Sequence, residues 1–232
     1  MWNRLLSSLV VAAAAFPVAA QTIKPVEAPV SAYIELLKDN GYDAYSFDIS
    51  ALRDTTYNLE FMVREYEGNK LIGDDNGYSY VLHNRTMASL FSPEDRATIK
   101  PEDMADADKG IYSLGERIDI GLLPPTDSIR RISIMVPSQG TVFKQIKLRE
   151  QHSPDGKQSA TNYIGRTFKT QEIKEGEFTP LVLIGSFWWD PKFNIFRFCG
   201  EIEIEPDLSS KIVKNIPHYY VIGVVATKQQ DK

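Results

Sequence analysis

Cysteine is all but missing: Cys199 is the only one in 232 residues. One thiol closes no internal disulfide, so stability must come from a buried core rather than from covalent staples. Cys199 stands between Phe198 and Gly200 in a stretch that reads as strand, and the expectation is a small, partly buried apolar residue. A reactive thiolate would need a basic partner nearby, and the sequence supplies none. Histidine is nearly as scarce. His83, His152 and His218 are isolated, and no pair has the spacing of a zinc site. His152 shares a polar loop with Ser153 and Asp155, but neighbours along a loop are not expected to face one another as a triad requires. No Gly-x-Ser-x-Gly elbow and no glycine-rich phosphate loop occurs. The expectation is no catalytic residue, no cofactor and no metal ligand.

Positive charge is also short. Lys and Arg number 26 against 31 Asp and Glu, a net charge of −5. The basic residues do not cluster, so the footprint of a nucleic-acid binder is missing, as is a basic patch for anionic lipid. Long apolar runs are confined to the start. Leu5 to Phe16 follows Arg4 and precedes Val18-Ala19-Ala20, whose small residues sit where a signal peptidase reads. The run is too short to span a bilayer and has the layout of a secretory leader, with cleavage expected near Ala20. No later segment has the length or purity of a transmembrane helix. The predicted protein is exported, periplasmic or secreted, with residues 1–20 as leader and 21–30, which hold two prolines, as linker.

Residues 31–232 then read as one β domain. Ser31 to Asn40 is the best short helix: Ser31 can cap it, Ile34, Leu36 and Leu37 give it an apolar face, and Asn40-Gly41 stops it. A helix of this length suits a cap over one end of a sandwich. Strand patterns follow, with alternation clearest in Tyr57 to Tyr66, Ile129 to Val136 and Thr141 to Arg149. Gly73-Asp74-Asp75-Asn76-Gly77 is a turn, because it lacks the alternate acids and distal Glu of a calcium loop. Residues 92–110 are acidic, hold two prolines and read as a long surface connection. A chain of two small β domains would divide near 92–126.

The densest apolar stretch is Thr179 to Thr227, read as three long strands. Leu181 to Ile184 and Tyr219 to Ala226 are apolar at successive positions, as in strands covered on both faces. Between them Glu201, Glu203 and Glu205 alternate with Ile202 and Ile204. Carboxylates two apart on a strand stand roughly 7 Å from each other, by a rise of about 3.3 Å per residue, too far for one cation to use all three. A wet outer face is expected there. Trp188 and Trp189, with Phe187 before and Phe193, Phe196 and Phe198 after, are the candidate ligand-binding residues. Adjacent strand residues face opposite ways, so one indole is expected to turn outward, where an aromatic plate could stack on a sugar or a partner protein.

Two phrases, TTYNLEFMVREYEGNKL over residues 55–71 and HYYVIGVVAT over residues 218–227, look like secreted proteins of Bacteroidetes. The chain resembles a small family there that carries only a "domain of unknown function" label. The resemblance covers most of the mature chain and implies an exported or envelope location; it brings no activity and no site residues. The expected fold is an all-β, mainly antiparallel sandwich, Ig-like or jelly-roll-like, with one short N-terminal helix. The expected function is non-enzymatic binding of a glycan or an envelope protein. The alternative is a carbohydrate-active hydrolase, which would need paired carboxylates in a cleft.

Overall fold

The computed structural model describes residues 27–74 and 81–229. The predicted leader and residues 75–80, which include most of the Gly73–Gly77 turn, lie outside the described residues.

The helix α1 spans Val30–Asp39, starts one residue before the expected cap and ends at Asn40, followed by Gly41 at φ 83°. Its apolar stripe is bare. Tyr33, Ile34, Leu36 and Leu37 are all exposed, and no residue of the helix is buried. The expected cap over the sandwich is therefore not made: periodicity reports that a face is apolar and says nothing of what covers it. Strand β1 (Asp43–Asp48) follows, then β2 (Tyr57–Glu67), β3 (Lys70–Asp74), β4 (Val81–His83) and β5 (Arg85–Met87). The acidic connection at 92–110 carries one helical turn, α2 (Pro93–Arg96), capped by Ser92, whose hydroxyl accepts the Asp95 N–H. Beyond it lie β6 (Ile111–Leu114), β7 (Arg117–Leu122), β8 (Ile129–Val136), β9 (Gly140–Lys147), β10 (Gln151–His152), β11 (Ser159–Ala160) and β12 (Tyr163–Phe168). The chain ends in β13 (Phe178–Ser186), β14 (Trp188–Asp190), β15 (Ile195–Arg197), β16 (Glu203–Ile204) and β17 (His218–Lys228).

Two sheets form the sandwich. One has the order β1-β7-β8-β9; the other runs β16-β12-β13-β17-β2-β3, with β4 also on β2. All neighbours within them are antiparallel except β12 and β16. Period-two alternation turns Ile118, Ile120, Ile132 and Ile134 of the small sheet onto Leu59, Phe61, Val182 and Ile222 of the large one, each at most 1 % exposed. Strands on both sides of residues 92–126 enter this one core.

The large sheet has a second apolar face. Leu183, Tyr219 and Val221 point away from the small sheet and lie under Ile204, Ile212, Val213 and Ile216 of the segment that returns to β17. Strands β13 and β17 are thus covered on both sides, as their unbroken apolar runs require. The middle of the stretch differs from the expected third long strand. It is divided into β14, β15 and β16, and the last has only two residues. Ile204 is buried, but Ile202 is 78 % exposed. The alternation of residues 201–205 therefore does not mark a strand with an apolar inner face, because the short parallel pairing with β12 stops at Glu203. Cys199 lies outside any strand and is exposed, not a partly buried filler.

Candidate functional site

The site nearest the expected one is the hairpin β14–β15. Strand β13 ends at Ser186, and Phe187 donates its N–H to the Asn162 carbonyl at 3.1 Å, which anchors the start of the hairpin to the end of β12. Trp188 then pairs with Arg197, Trp189 with Phe196 and Asp190 with Ile195. The turn closes through Asn194, which takes a left-handed φ of 56° and donates its N–H to the Asp190 carbonyl. The expected Asp190-Pro191-Lys192 turn is in place; asparagine is among the few residues that tolerate such a φ.

Both indoles are half-buried. Trp188 packs against the second core, and Trp189 meets Phe196 edge-on at 5.2 Å. Arg197 bonds the Asp190 carboxylate at 2.7 Å, which with the Lys192 N–H keeps that carboxyl below the usual carboxylate range. The Arg197 guanidinium also stands 5.5 Å from the Phe193 ring. Behind the hairpin Phe187 stacks on Phe198 at 4.8 Å. Arg166 of β12, 5 % exposed, donates to the Phe198 and Glu201 carbonyls and so fixes the return segment. The result is a groove of about 320 Å³ lined by Trp188, Trp189, Asp190, Arg197, Cys199 and Asn215. That is at the small end of the range for ligand sites, about 300–1,000 Å³. In the same segment Phe193, Ile195 and Phe198 are 56 %, 49 % and 45 % exposed. The groove can hold an apolar ring face against indole while Asp190, Arg197 and Asn215 take up hydroxyls.

The three histidines part company. His152 is exposed and lies 3.7 Å from Glu150. It takes no part in the contact of Ser153 Oγ with Asp155 at 2.7 Å, although those two loop neighbours do face each other. His83 is half-buried with an unpaired Nδ1. His218, by contrast, sits in a buried network. Tyr163 Oη is 2.5 Å from its Nδ1, Glu65 Oε1 is 2.8 Å from its Nε2, and Arg149 pairs with the same carboxylate. Burial lowers the His218 pKa from its ordinary value and outweighs Glu65, which raises it. Burial also raises the Tyr163 hydroxyl to about 12. The Glu65 carboxyl is held low by its hydrogen bonds from His218 and Arg149, although burial opposes them. No local signal marks this network in the sequence: its members are 55 and 153 residues apart.

Among the described residues no cluster of three or more His, Cys, Asp or Glu could hold a metal ion. No helix among them is long and apolar enough to cross a membrane. No curated protein and no solved structure matches the chain. A family match spans residues 12–228, most of the chain. The chain belongs to the family described as Domain of unknown function (DUF5041).

Proposed function

We propose that the protein is an exported, non-enzymatic binding module and that the β14–β15 hairpin takes a glycan. The observation that carries the reading is the groove itself, where half-buried indoles adjoin an Asp190–Arg197 pair already locked at 2.7 Å. A sugar offers an apolar C–H face and a rim of hydroxyls. Aromatic plates beside oriented charged groups match both, and their fixed geometry lowers the ordering cost of binding. Hydrolysis would need a second carboxyl opposite the first, one of them held protonated. Among the described residues Asp190 is the only carboxylate lining this groove, and Arg197 favours its charged form.

The leader-like start and the resemblance to secreted Bacteroidetes proteins support export. N-terminal sequencing of protein recovered from outside the cytoplasm should begin at Gln21; recovery of the intact chain there would sink that part. For binding, the wild type is run on a glycan array beside Trp188→Ala and Trp189→Ala. At least one substitution should abolish a wild-type signal while far-UV dichroism stays unchanged. Signals equal in all three proteins would refute the assignment. The exposed apolar side chains of Phe193, Ile195 and Phe198 favour a second reading, an envelope protein as partner. An empty array with a pull-down lost in Phe193→Ser would select it.

A further inference from the structure

His218 opens β17 with 2 % of its side chain exposed, and both ring nitrogens are engaged. The partners settle the tautomer. Glu65 is a charged acceptor that also receives Arg149, so Nε2 carries the proton. Tyr163 Oη accepts the Arg149 backbone N–H at 3.1 Å, so its own O–H is donated to Nδ1. A second proton on the ring has to go to Nδ1, where it meets the Tyr163 O–H head-on. The neutral ring fits this cage and the charged ring does not. The charged and titratable groups facing it are Glu65 and Glu67 on β2, Arg149 after β9, Tyr163 on β12, and Tyr220, whose ring meets it edge-on at 5.0 Å.

Both sides of the cage lead to the tryptophan hairpin. Arg149 lies two residues before β10, whose Gln151 side chain donates to the Arg149 carbonyl at 3.4 Å, and β10 lies against β14. Tyr163 is the register partner of Ser186, and its neighbour Asn162 holds Phe187, the residue before Trp188.

We propose that His218, Tyr163, Glu65 and Arg149 form an acid-sensitive latch that sets the position of the β14–β15 hairpin. With His218 neutral the latch is closed. Protonation breaks the Tyr163 contact, frees the β10 and β12 ends, and loosens the hairpin. The inference rests on the proposed binding role only for its use, which would be release of a bound ligand in acid; the movement itself can be tested without a ligand.

The full chain contains three tryptophans, so Trp2→Phe leaves only Trp188 and Trp189 as indoles. Their emission and acrylamide quenching are followed from pH 8 to 4.5, with far-UV dichroism confirming that the fold persists. Asp190, the carboxylate beside them, is held below the usual range by Arg197 and stays charged over this window. The expected result is a single-proton step below pH 6.5, with quenching rising on the acid side. The same step should appear in His152→Gln and His83→Gln, and be absent in His218→Gln. In Tyr163→Phe, which has no contact left for the proton to break, quenching should be high across the whole range and the step absent. A flat parent profile with the fold intact would overturn the latch. So would a step that survives His218→Gln, or one that Tyr163→Phe leaves in place. If the step behaves as expected while the glycan array is blank, the latch stands and the sugar reading fails.

Discussion

Arg130 is the strongest single test of how the N-terminal segment is tied to the sandwich. It sits in β8 with its side chain 5 % exposed. Its Nε donates to the Leu123 carbonyl at 3.0 Å, and its Nη2 donates to the Gly41 carbonyl at 2.9 Å and the Asp43 carboxylate at 2.8 Å. One guanidinium therefore joins the end of α1, the start of β1 and the β7–β8 connection. Arg130→Met keeps the buried stem and removes the head. Breaking a buried pair costs about 3–5 kcal/mol when the abandoned charge stays buried. Asp43 is 40 % exposed and can rehydrate, which sets the expectation at the low end, about 3 kcal/mol. For a domain of this size each kcal/mol lowers Tm by about 2–4 °C, so a fall of about 6–12 °C is expected. Asp43→Asn leaves the two carbonyl contacts and should cost about 1 kcal/mol. Urea unfolding followed by circular dichroism gives both differences, and their double-mutant cycle isolates the ion pair. A loss below about 1 kcal/mol for Arg130→Met would show that the three contacts do not stabilise the fold, and the reasoning would fall.

Other substitutions act on the large sheet. A Cβ on Gly223 would stand 2.5 Å from the Thr179 carbonyl oxygen and 2.4 Å from Phe178 Cζ. A paired strand cannot yield its backbone, so Gly223→Ala should cost at least about 2 kcal/mol in urea titration; a smaller loss would mean the β13–β17 bulge gives way. The Ser186 hydroxyl is buried and has no hydrogen-bond partner. Ser186→Ala should be neutral or stabilising by up to about 1 kcal/mol, and a clear loss would reveal a partner such as a bound water. Stability should also fall with acid in two stages. His218 has a lowered native pKa, so the unfolded chain takes up its proton first, and stability is lost as pH falls from about 6.5 toward the native value. Glu65 is likewise lowered, so its contribution is present above about 4.5 and is lost below that. In His218→Gln the first stage should vanish from a plot of unfolding free energy against pH, and its persistence would point to another group.

Much of this architecture is legible in the chain. The alternation of β2, β8 and β9 places their buried faces, because a side chain's direction on a strand depends only on its parity. The unbroken apolar runs of β13 and β17 correctly announce cover on two sides. Local pattern fails where the outcome depends on a distant partner. The stripe on α1 looks like any buried helix face, yet no residue of the helix is buried. Ile202 and Ile204 look equivalent, and only Ile204 is buried beneath the return segment. The hairpin around Trp188 and Trp189 is marked by its aromatic density and by the Asp190-Pro191 turn. Its Asn215 comes from the segment before β17, and no spacing rule connects the two. Arg130 shares the parity of Ile132, Ile134 and Val136, so alternation turns it to the inner face; what the pattern does not show is its partners, which come from the path of residues 41–43 across it.

The place of β17 bears on how the protein comes into being. It follows every other strand among the described residues, yet it lies in the middle of the large sheet, between β13 and β2. The pairing from His218 with Glu67 to Lys228 with Tyr57 joins residues 151 to 171 apart in sequence. Until that last segment arrives, β2, paired with β3 and β4, and β13, paired with β12, have no common neighbour, and each leaves one edge with no ladder to join. Closure of the sheet is therefore a late, long-range event, slow by the measure that relates folding rate to sequence separation. A growing chain emerging from the ribosome stays open until its final strand is free. That delay is compatible with the proposed export, since a chain that has not yet closed its sheet can still be threaded through a membrane.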